Sequence, residues 1–323
     1  MIPEGEDLPV NTRPLNFENR VAVITGAGSG LGRAHAMMLA AYGAKVVVND
    51  LPRAEGPSYA DDVVAAIESA GGEAVACAES VEHGARIIEA AMDTFKRIDI
   101  VINNAGVLQD RTFHKMTDEE WDQVYRVHLL GTYRVTHAAW PFLRRQNYGR
   151  IVCTSSSSGL YGSFGQANYA AAKMGTLGLV NALALEGKGR NIHVNAIAPA
   201  AGSRFTSTVW PAGVVEFLKP ELVAPLVVFL ASEQCRDTGG LFEVGGGWIS
   251  RLRWQRTEGH CFPAPGDHSA EDVADHWQAI NDFSRCDNPR SITDVYLPTS
   301  RHMPVELRNQ WLDLAANAEG TLR

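Results

Sequence analysis

Residues 21–50 read VAVITGAGSGLGRAHAMMLAAYGAKVVVND. Val21 to Thr25 is a short β-branched apolar run, the composition of a fully buried strand. Three glycines follow at Gly26, Gly30 and Gly32, and then a helical pattern runs from Leu31 to a glycine stop at Gly43. Lys45 to Asp50 is a second buried strand closed by an acid. Strand, glycine turn, helix and strand with an acid about 20 residues on is the order a dinucleotide site requires. Gly26 permits the tight turn, Gly30 lets backbone approach the pyrophosphate, and Gly32 lets the helix pack close on the sheet. The helix N-terminus then offers free N–H groups and partial positive charge to the phosphates. Asp50 would accept from the adenosine ribose hydroxyls and repel a 2′-phosphate, which favours NAD over NADP. Arg33 and Arg53 are the cations within reach of such a phosphate.

Outward from this unit the alternation continues. Helices are expected at Tyr59–Ala70, Val81–Lys96 and Thr117–Arg145, the last opened by a capping box at Thr117 to Glu120. Strands are expected at Glu73–Cys77, Ile98–Ile102, Arg150–Thr154, Asn191–Ile197 and Leu241–Val244. This pattern means a parallel sheet covered on both faces, an α/β doubly wound architecture of seven strands, with its ligand beyond the strands' carboxyl ends. Residues 1–16 read as a leader, 17–250 as the catalytic domain, and 251–323 as a C-terminal helical and loop extension packing on the core or across a subunit contact.

Tyr169 and Lys173 stand four apart in an Ala-rich helical run, so both lie on one face. A fixed ammonium there favours the phenolate and lowers the phenol's pKa toward the working range of a general acid-base. Ser156, at the end of the preceding strand, returns a hydroxyl to the same point. Three such groups aimed at one oxygen suit interconversion of an alcohol and a ketone.

Composition is consistent with this and removes other classes. The chain has 323 residues, is 45% hydrophobic and carries a net charge of −8, so a basic nucleic-acid surface is not expected. No apolar run is long enough to span a membrane, and the N-terminus lacks the apolar core of a signal peptide. The C-terminal Thr-Leu-Arg is not an SKL-type address, and five scattered cysteines read as free thiols, so a cytoplasmic location is expected. The spacing of His260, Cys261, His268, His276 and Cys286 matches no common zinc pattern, so no metal is expected. Residues 283–301 turn polar around Pro289 and Pro298 and read as loops.

With TGAGSGLG at Thr25–Gly32, NNAG at Asn103–Gly106, Ser156, and YAAAK at Tyr169–Lys173, the chain resembles the short-chain dehydrogenase/reductase family over about residues 17–250. The resemblance implies a Rossmann-type fold with Gly26, Ser29, Gly30, Leu31, Gly32, Asp50, Glu79, Asn104, Ala105, Gly106 and Pro199 at the cofactor. It implies that Ser156 polarises the substrate oxygen, Tyr169 exchanges its proton, and Lys173 binds the nicotinamide ribose while lowering the Tyr169 pKa. The family usually holds an Asn in the fourth helix as part of a proton relay; His128 stands there, able to donate, accept and titrate near neutrality.

Arg126-Val-His128, Gly162 to Tyr169, and Leu241 to Trp248 are similar to the family's (3R)-hydroxyacyl-CoA dehydrogenase branch, found in peroxisomal multifunctional enzymes of type 2 and in free-standing bacterial proteins. That branch implies oxidation of 3-hydroxyacyl-CoA thioesters, with 17β-hydroxysteroids as the alternative substrate class. A non-catalytic NAD-binding scaffold is the reading from another class, and it would call for a broken triad. Asp110, Phe113, Tyr161, Phe164 and Gln166 are the candidate substrate residues, with the 201–219 loop. Family habit implies a homodimer or homotetramer.

Overall fold

The computed structural model describes residues 14–202, 211–263 and 266–318. The chain divides into two compact units, Met1–Arg251 and Leu252–Arg323. Most of the expected leader and part of the 201–219 loop lie outside the described residues.

The first unit is a sheet flanked by helices. Its strands are β1 (Val21–Ile24), β2 (Lys45–Asn49), β3 (Glu73–Cys77), β4 (Ile100–Asn103), β5 (Gly149–Thr154), β6 (Ile192–Pro199), β7 (Leu241–Gly245) and β8 (Trp248–Leu252). Their order is β3-β2-β1-β4-β5-β6-β7-β8, and every pair from β3 to β7 is parallel. The order steps outward from β1 to β3, then crosses to β4, which opens a crevice above β1 and β4 at the switch point. The sheet has eight strands rather than the expected seven. The eighth follows β7 through Gly246 and Gly247, both at positive φ, a glycine pair suited to a tight hairpin turn.

Both faces of the sheet are dry along its central strands β1, β2, β4, β5 and β6, which is why those strands read as apolar runs and not as alternations. Ile24, Val46, Val48, Ile100 and Ile102 belong to one core; Val21, Val23, Val47, Val101 and Ile151 belong to the other. Adjacent residues of a strand thus serve opposite layers. The covering helices are α1 (Gly30–Ala41), α2 (Tyr59–Ser69), α3 (Gly84–Phe95), α4 (Asp118–Tyr125), α5 (Thr132–Gln146), α6 (Ser157–Tyr161), α7 (Ala167–Gly187), α8 (Ala212–Phe217) and α9 (Ala224–Ala231).

The long helix expected from Thr117 is opened by its capping box: Thr117 Oγ1 accepts from Glu120 N–H at 3.2 Å and Glu120 Oε2 from Thr117 N–H at 3.0 Å. It is not continuous. Residues Arg126–Gly131 form a π-helical turn between α4 and α5, and His128 sits inside it. Such turns recur at functional sites.

The second unit pairs β9 (Arg256–Thr257) with β10 (Cys286–Asp287) antiparallel. It adds α10 (Ala270–Asp275), α11 (Trp277–Ile280), α12 (Thr293–Thr299) and α13 (Val305–Ala318). Ser269 caps α10 reciprocally with Asp272. His260 stacks on His276 at 4.0 Å, and Phe262 on His268 at 4.6 Å. The stretch expected as loops contains α12 despite Pro298. Proline has no N–H to give the Asp294 carbonyl four residues back, and Arg256 donates to that carbonyl instead, at 3.1 Å.

Candidate active site

The glycine turn joins β1 to α1, and each of its glycines meets a different demand. Gly26 adopts φ +61°, and a Cβ there would lie 2.7 Å from the Ala105 backbone. A Cβ on Gly32 would lie 2.2 Å from the Gly26 carbonyl, so β1 and α1 meet too closely for any side chain. Gly30, at φ +54°, borders open space. Crowding on two sides with an opening on the third is a cradle of bare backbone, which fits a pyrophosphate at a helix N-terminus.

The ends of β2 and β4 complete this cradle. Asp50 follows β2 and accepts from Gly28 N–H at 2.8 Å through Oδ2, and from Leu51 N–H at 2.8 Å through Oδ1. Its carboxylate therefore faces the turn where a ribose would follow. Asn104 donates its amide to the Thr25 and Gly26 carbonyls at 3.1 Å each. Thr25 Oγ1 accepts from the N–H groups of Asn104 and Ala105, at 3.0 and 3.1 Å. Thr25, the last residue of the β1 run, thus locks the β4 end to the turn. Asn49, buried, donates to the carbonyls of Cys77 and Glu79, holding the segment after β3 alongside. The Glu79 carboxylate itself turns to His83, 3.2 Å away. Ser29 and Leu31 lie in and just after the turn, and Pro199 closes β6 at the same end of the sheet.

Ser156, Tyr169 and Lys173 come together at the carboxyl end of β5. Ser156 caps α6, its Oγ accepting from Ser158 N–H at 3.1 Å, and also hydrogen-bonds the Tyr169 phenol. Lys173 is 3% exposed; its Nζ lies 5.6 Å from the Tyr169 ring centroid and donates to the Thr154 carbonyl at 2.6 Å. Thr154 Oγ1 beside it is buried with no partner.

The electrostatics correct one expectation. Burial pushes the Tyr169 phenol above its ordinary value; the Ser156 hydrogen bond acts downward and the Asp110 charge upward, with burial winning. Lys173 does not acidify the phenol in this state. Its ammonium is turned to a carbonyl, and burial lowers its own pKa to about 8.

His128 is corrected too. It does not titrate near neutrality, because burial and then the Lys173 charge hold it well below the ordinary imidazole value. Its ring stands edge-on to Tyr169 at 5.0 Å and packs on Gly106, where a Cβ would come within 2.5 Å of it. Nε2 lies 2.7 Å from the Val107 carbonyl and 3.1 Å from the Val107 nitrogen. Nε2 thus sits between an N–H that donates to it and a carbonyl oxygen, while Nδ1 is buried with no hydrogen-bond partner among the described residues.

The substrate candidates surround this centre unequally. Gln166, preceding α7, donates to Asp110 at 2.8 Å. Phe113, Tyr161 and Phe164 are 74%, 66% and 92% exposed. Two residues absent from the sequence expectations hold the frame. Buried Asn168 donates to the carbonyls of Gln109 and Glu120, at 3.0 and 3.2 Å. Glu243 on β7 accepts from Ser157 Oγ at 3.1 Å and from Tyr161 Oη at 3.3 Å. Neither contact carries a local sequence signal, since the partners lie 48 to 86 residues apart. Among the described residues no cluster of His, Cys, Asp and Glu can hold a metal, and no helix is long and apolar enough to cross a membrane.

Comparison with known proteins agrees with this geometry. The family model for short chain dehydrogenase matches residues 20–209. Mouse peroxisomal multifunctional enzyme type 2 is 54% identical over 87% of this chain, and the chain spans 39% of that enzyme's length. The hydroxyacyl-CoA dehydrogenase ChsB1 of Mycobacterium tuberculosis is 39% identical, over 74% of this chain and 81% of its own. The solved full-length type 2 enzyme of Drosophila melanogaster superposes with a TM-score of 0.78 at 40% identity, over 92% of this chain and half of its own.

Proposed function

The chain belongs to the short-chain dehydrogenase family, and from that premise we propose that it oxidises the 3-hydroxyl of a (3R)-3-hydroxyacyl-CoA to the ketone, with NAD as acceptor. Membership makes it an oxidoreductase of CH–OH donors using NAD or NADP. The carrying observation is the convergence of Ser156, Tyr169 and Lys173 beside the backbone cradle. All three members of the triad are present, which argues against a silent scaffold.

NAD over NADP is supported by Asp50 at the end of β2, whose charge opposes a 2′-phosphate. Of the two cations within reach, Arg53 stacks on Tyr59 at 3.8 Å and pairs with Asp62 at 2.6 Å, so its charge is already matched. Bound NAD would supply the acceptor for the carbinol hydride. The cradle of Gly26, Gly30 and Gly32 would hold its phosphates, Asp50 its ribose, with Asn104, Ala105 and Gly106 beneath its middle and Pro199 at its far end.

In this reading Ser156 donates to the substrate oxygen and Tyr169 Oη takes the hydroxyl proton. A phenol raised by burial holds its proton in the resting site; the alcohol reaction needs the phenolate. A buried Lys173 with a pKa of about 8 stays mostly protonated at pH 7, and its charge favours that phenolate once the ammonium leaves the Thr154 carbonyl. His128, neutral, would offer its unbonded Nδ1 to the proton relay. Asp110, Gln166, Phe113, Tyr161 and Phe164 would line the substrate mouth.

The hydroxyacyl-CoA assignment rests on the resemblance carried by Arg126–His128, Gly162–Tyr169 and Leu241–Trp248, and on ChsB1, whose name carries that chemistry. A 17β-hydroxysteroid is the second reading, favoured by the exposed rings of Phe113, Tyr161 and Phe164 with the carboxylates of Asp110 and Glu243. Absorbance of the reduced nicotinamide, followed with (3R)- and (3S)-hydroxyacyl-CoA of several chain lengths and a 17β-hydroxysteroid, each with NAD and NADP, tests all of this. Turnover of the (3R) thioester with NAD is expected; turnover of the steroid alone overturns the substrate class. A homodimer or homotetramer and a cytoplasmic location belong to the same proposal, the latter against the peroxisomal location in the relatives' names. Light scattering and cell fractionation test them.

A further inference from the structure

We propose that Glu243 is a positioning residue for the reaction, its carboxylate holding the short helix α6 so that Ser156 stays on the substrate oxygen. The inference rests on the proposed role of Ser156 and extends it to a residue that never touches substrate.

α6 has five residues, too few to be stable by its own hydrogen bonds. Its place depends on tethers. Ser157 and Tyr161, four apart, share one face of the helix, and each donates to a different oxygen of Glu243, at 3.1 and 3.3 Å. On another side Gly159 presses against α7, where a Cβ would lie 3.0 Å from Lys173 Cβ and 3.2 Å from the Met174 nitrogen. α6 is therefore gripped between β7 and the very turn of α7 that bears Lys173. Ser156 moves with α6 because its Oγ caps the helix through Ser158 N–H. The same Oγ faces the Tyr169 phenol, so a shift of α6 is a shift of the catalytic hydroxyl. Among the described residues the hydroxyls of Ser157 and Tyr161 are the donors on the Glu243 carboxylate. Hydrogen bonds to a charged acceptor are the stronger kind.

The test compares wild type with Glu243→Ala, Glu243→Gln, the double variant Ser157→Ala/Tyr161→Phe, and the triple variant. Glu243→Ala is expected to lower kcat about 10- to 100-fold, the worth of one or two charge-assisted hydrogen bonds, with the NAD dissociation constant unchanged. Glu243→Gln, which still accepts from one hydroxyl, recovers most of that loss. Adding Glu243→Ala to the double variant costs nothing further, since the carboxylate acts through those two hydroxyls.

A second readout needs no substrate. Tyrosinate absorbance, taken as the difference between each protein and its Tyr169→Phe partner, follows the Tyr169 phenol directly. The groups facing that phenol are Ser156, His128, Lys173 and Asp110. Withdrawing Ser156 alone moves the titration to higher pH in Glu243→Ala. An unmoved titration, a kcat within about twofold of wild type, or full additivity in the triple variant overturns the proposal. Absence of turnover in the wild type would instead sink the substrate reading and leave the titration to decide this one.

Discussion

The two sides of the active-site crevice are built from different materials. On the cofactor side the working atoms are backbone: the glycine turn, the Thr25 and Gly26 carbonyls bound by Asn104, and the Gly28 N–H bound by Asp50. These contacts join strand ends that the sheet already places side by side. On the proposed substrate side the atoms are those of side chains, three aromatic rings mostly in solvent, with the Asp110–Gln166 hydrogen bond and the Glu243 contacts nearby in the fold. A phosphate asks for N–H groups at fixed places, whereas an acyl chain or a ring system asks only for apolar area. The first demand dictates glycines at fixed spacing. The second can be met by many residues.

Four experiments test how separate the two sides are. Tyr169→Phe should lower kcat at least about 100-fold by removing positioned acid-base chemistry, while NAD binding, read by calorimetry, persists. Loss of both together would break the division. Gly32→Ala should do the reverse. Its methyl meets the Gly26 carbonyl and the Asn104 amide, so NAD affinity should fall about tenfold or more, and stability by about 1–3 kcal/mol in urea titrations.

The third experiment is a pH series. His35 on α1 is fully buried, neither ring nitrogen has a hydrogen-bond partner among the described residues, and burial lowers its pKa from 6.5 to about 3. Below pH 6.5 the unfolded chain takes up a proton that the native protein refuses until about pH 3. Stability from this group is thus complete above pH 6.5 and falls as pH drops toward 3, by about 2 kcal/mol at pH 5. Urea midpoints across that window should show the slope, and His35→Leu should flatten it. The smallest effect belongs to an exposed ring: Phe164→Ala should raise KM by no more than about tenfold, because so exposed a ring can gain only part of a full burial on binding. An unchanged KM would remove Phe164 from the substrate contacts.

The same contrast explains what could be read without coordinates. The β1–turn–α1–β2 unit and the Ser156, Tyr169 and Lys173 positions follow from periodicity and spacing, which are local properties of the chain. Glu243 and Asn168 were missed because their partners are distant in sequence. The direction of the Tyr169 shift was misjudged for a related reason. A four-residue spacing reports that an amine is near, but burial and the turn of Lys173 toward Thr154 are properties of the packed site. His128 failed as a titrating group on the same ground. The eighth strand has a local signal, the positive-φ pair Gly246–Gly247. α12 had none, because Arg256 supplies from elsewhere the hydrogen bond that Pro298 withholds.

The wide turn at Arg126–Gly131 has an evolutionary corollary. A π-helical turn holds about one residue more than an α-turn of the same rise. Excision of a single codon within it would let α4 and α5 fuse into one regular helix. The flanking turns would keep their buried faces on the core, residues within the turn would change direction, and the imidazole would leave the Tyr169 ring while the sheet stayed intact. A lineage could in this way abandon or regain this histidine by one small insertion or deletion, without redesigning the scaffold around it.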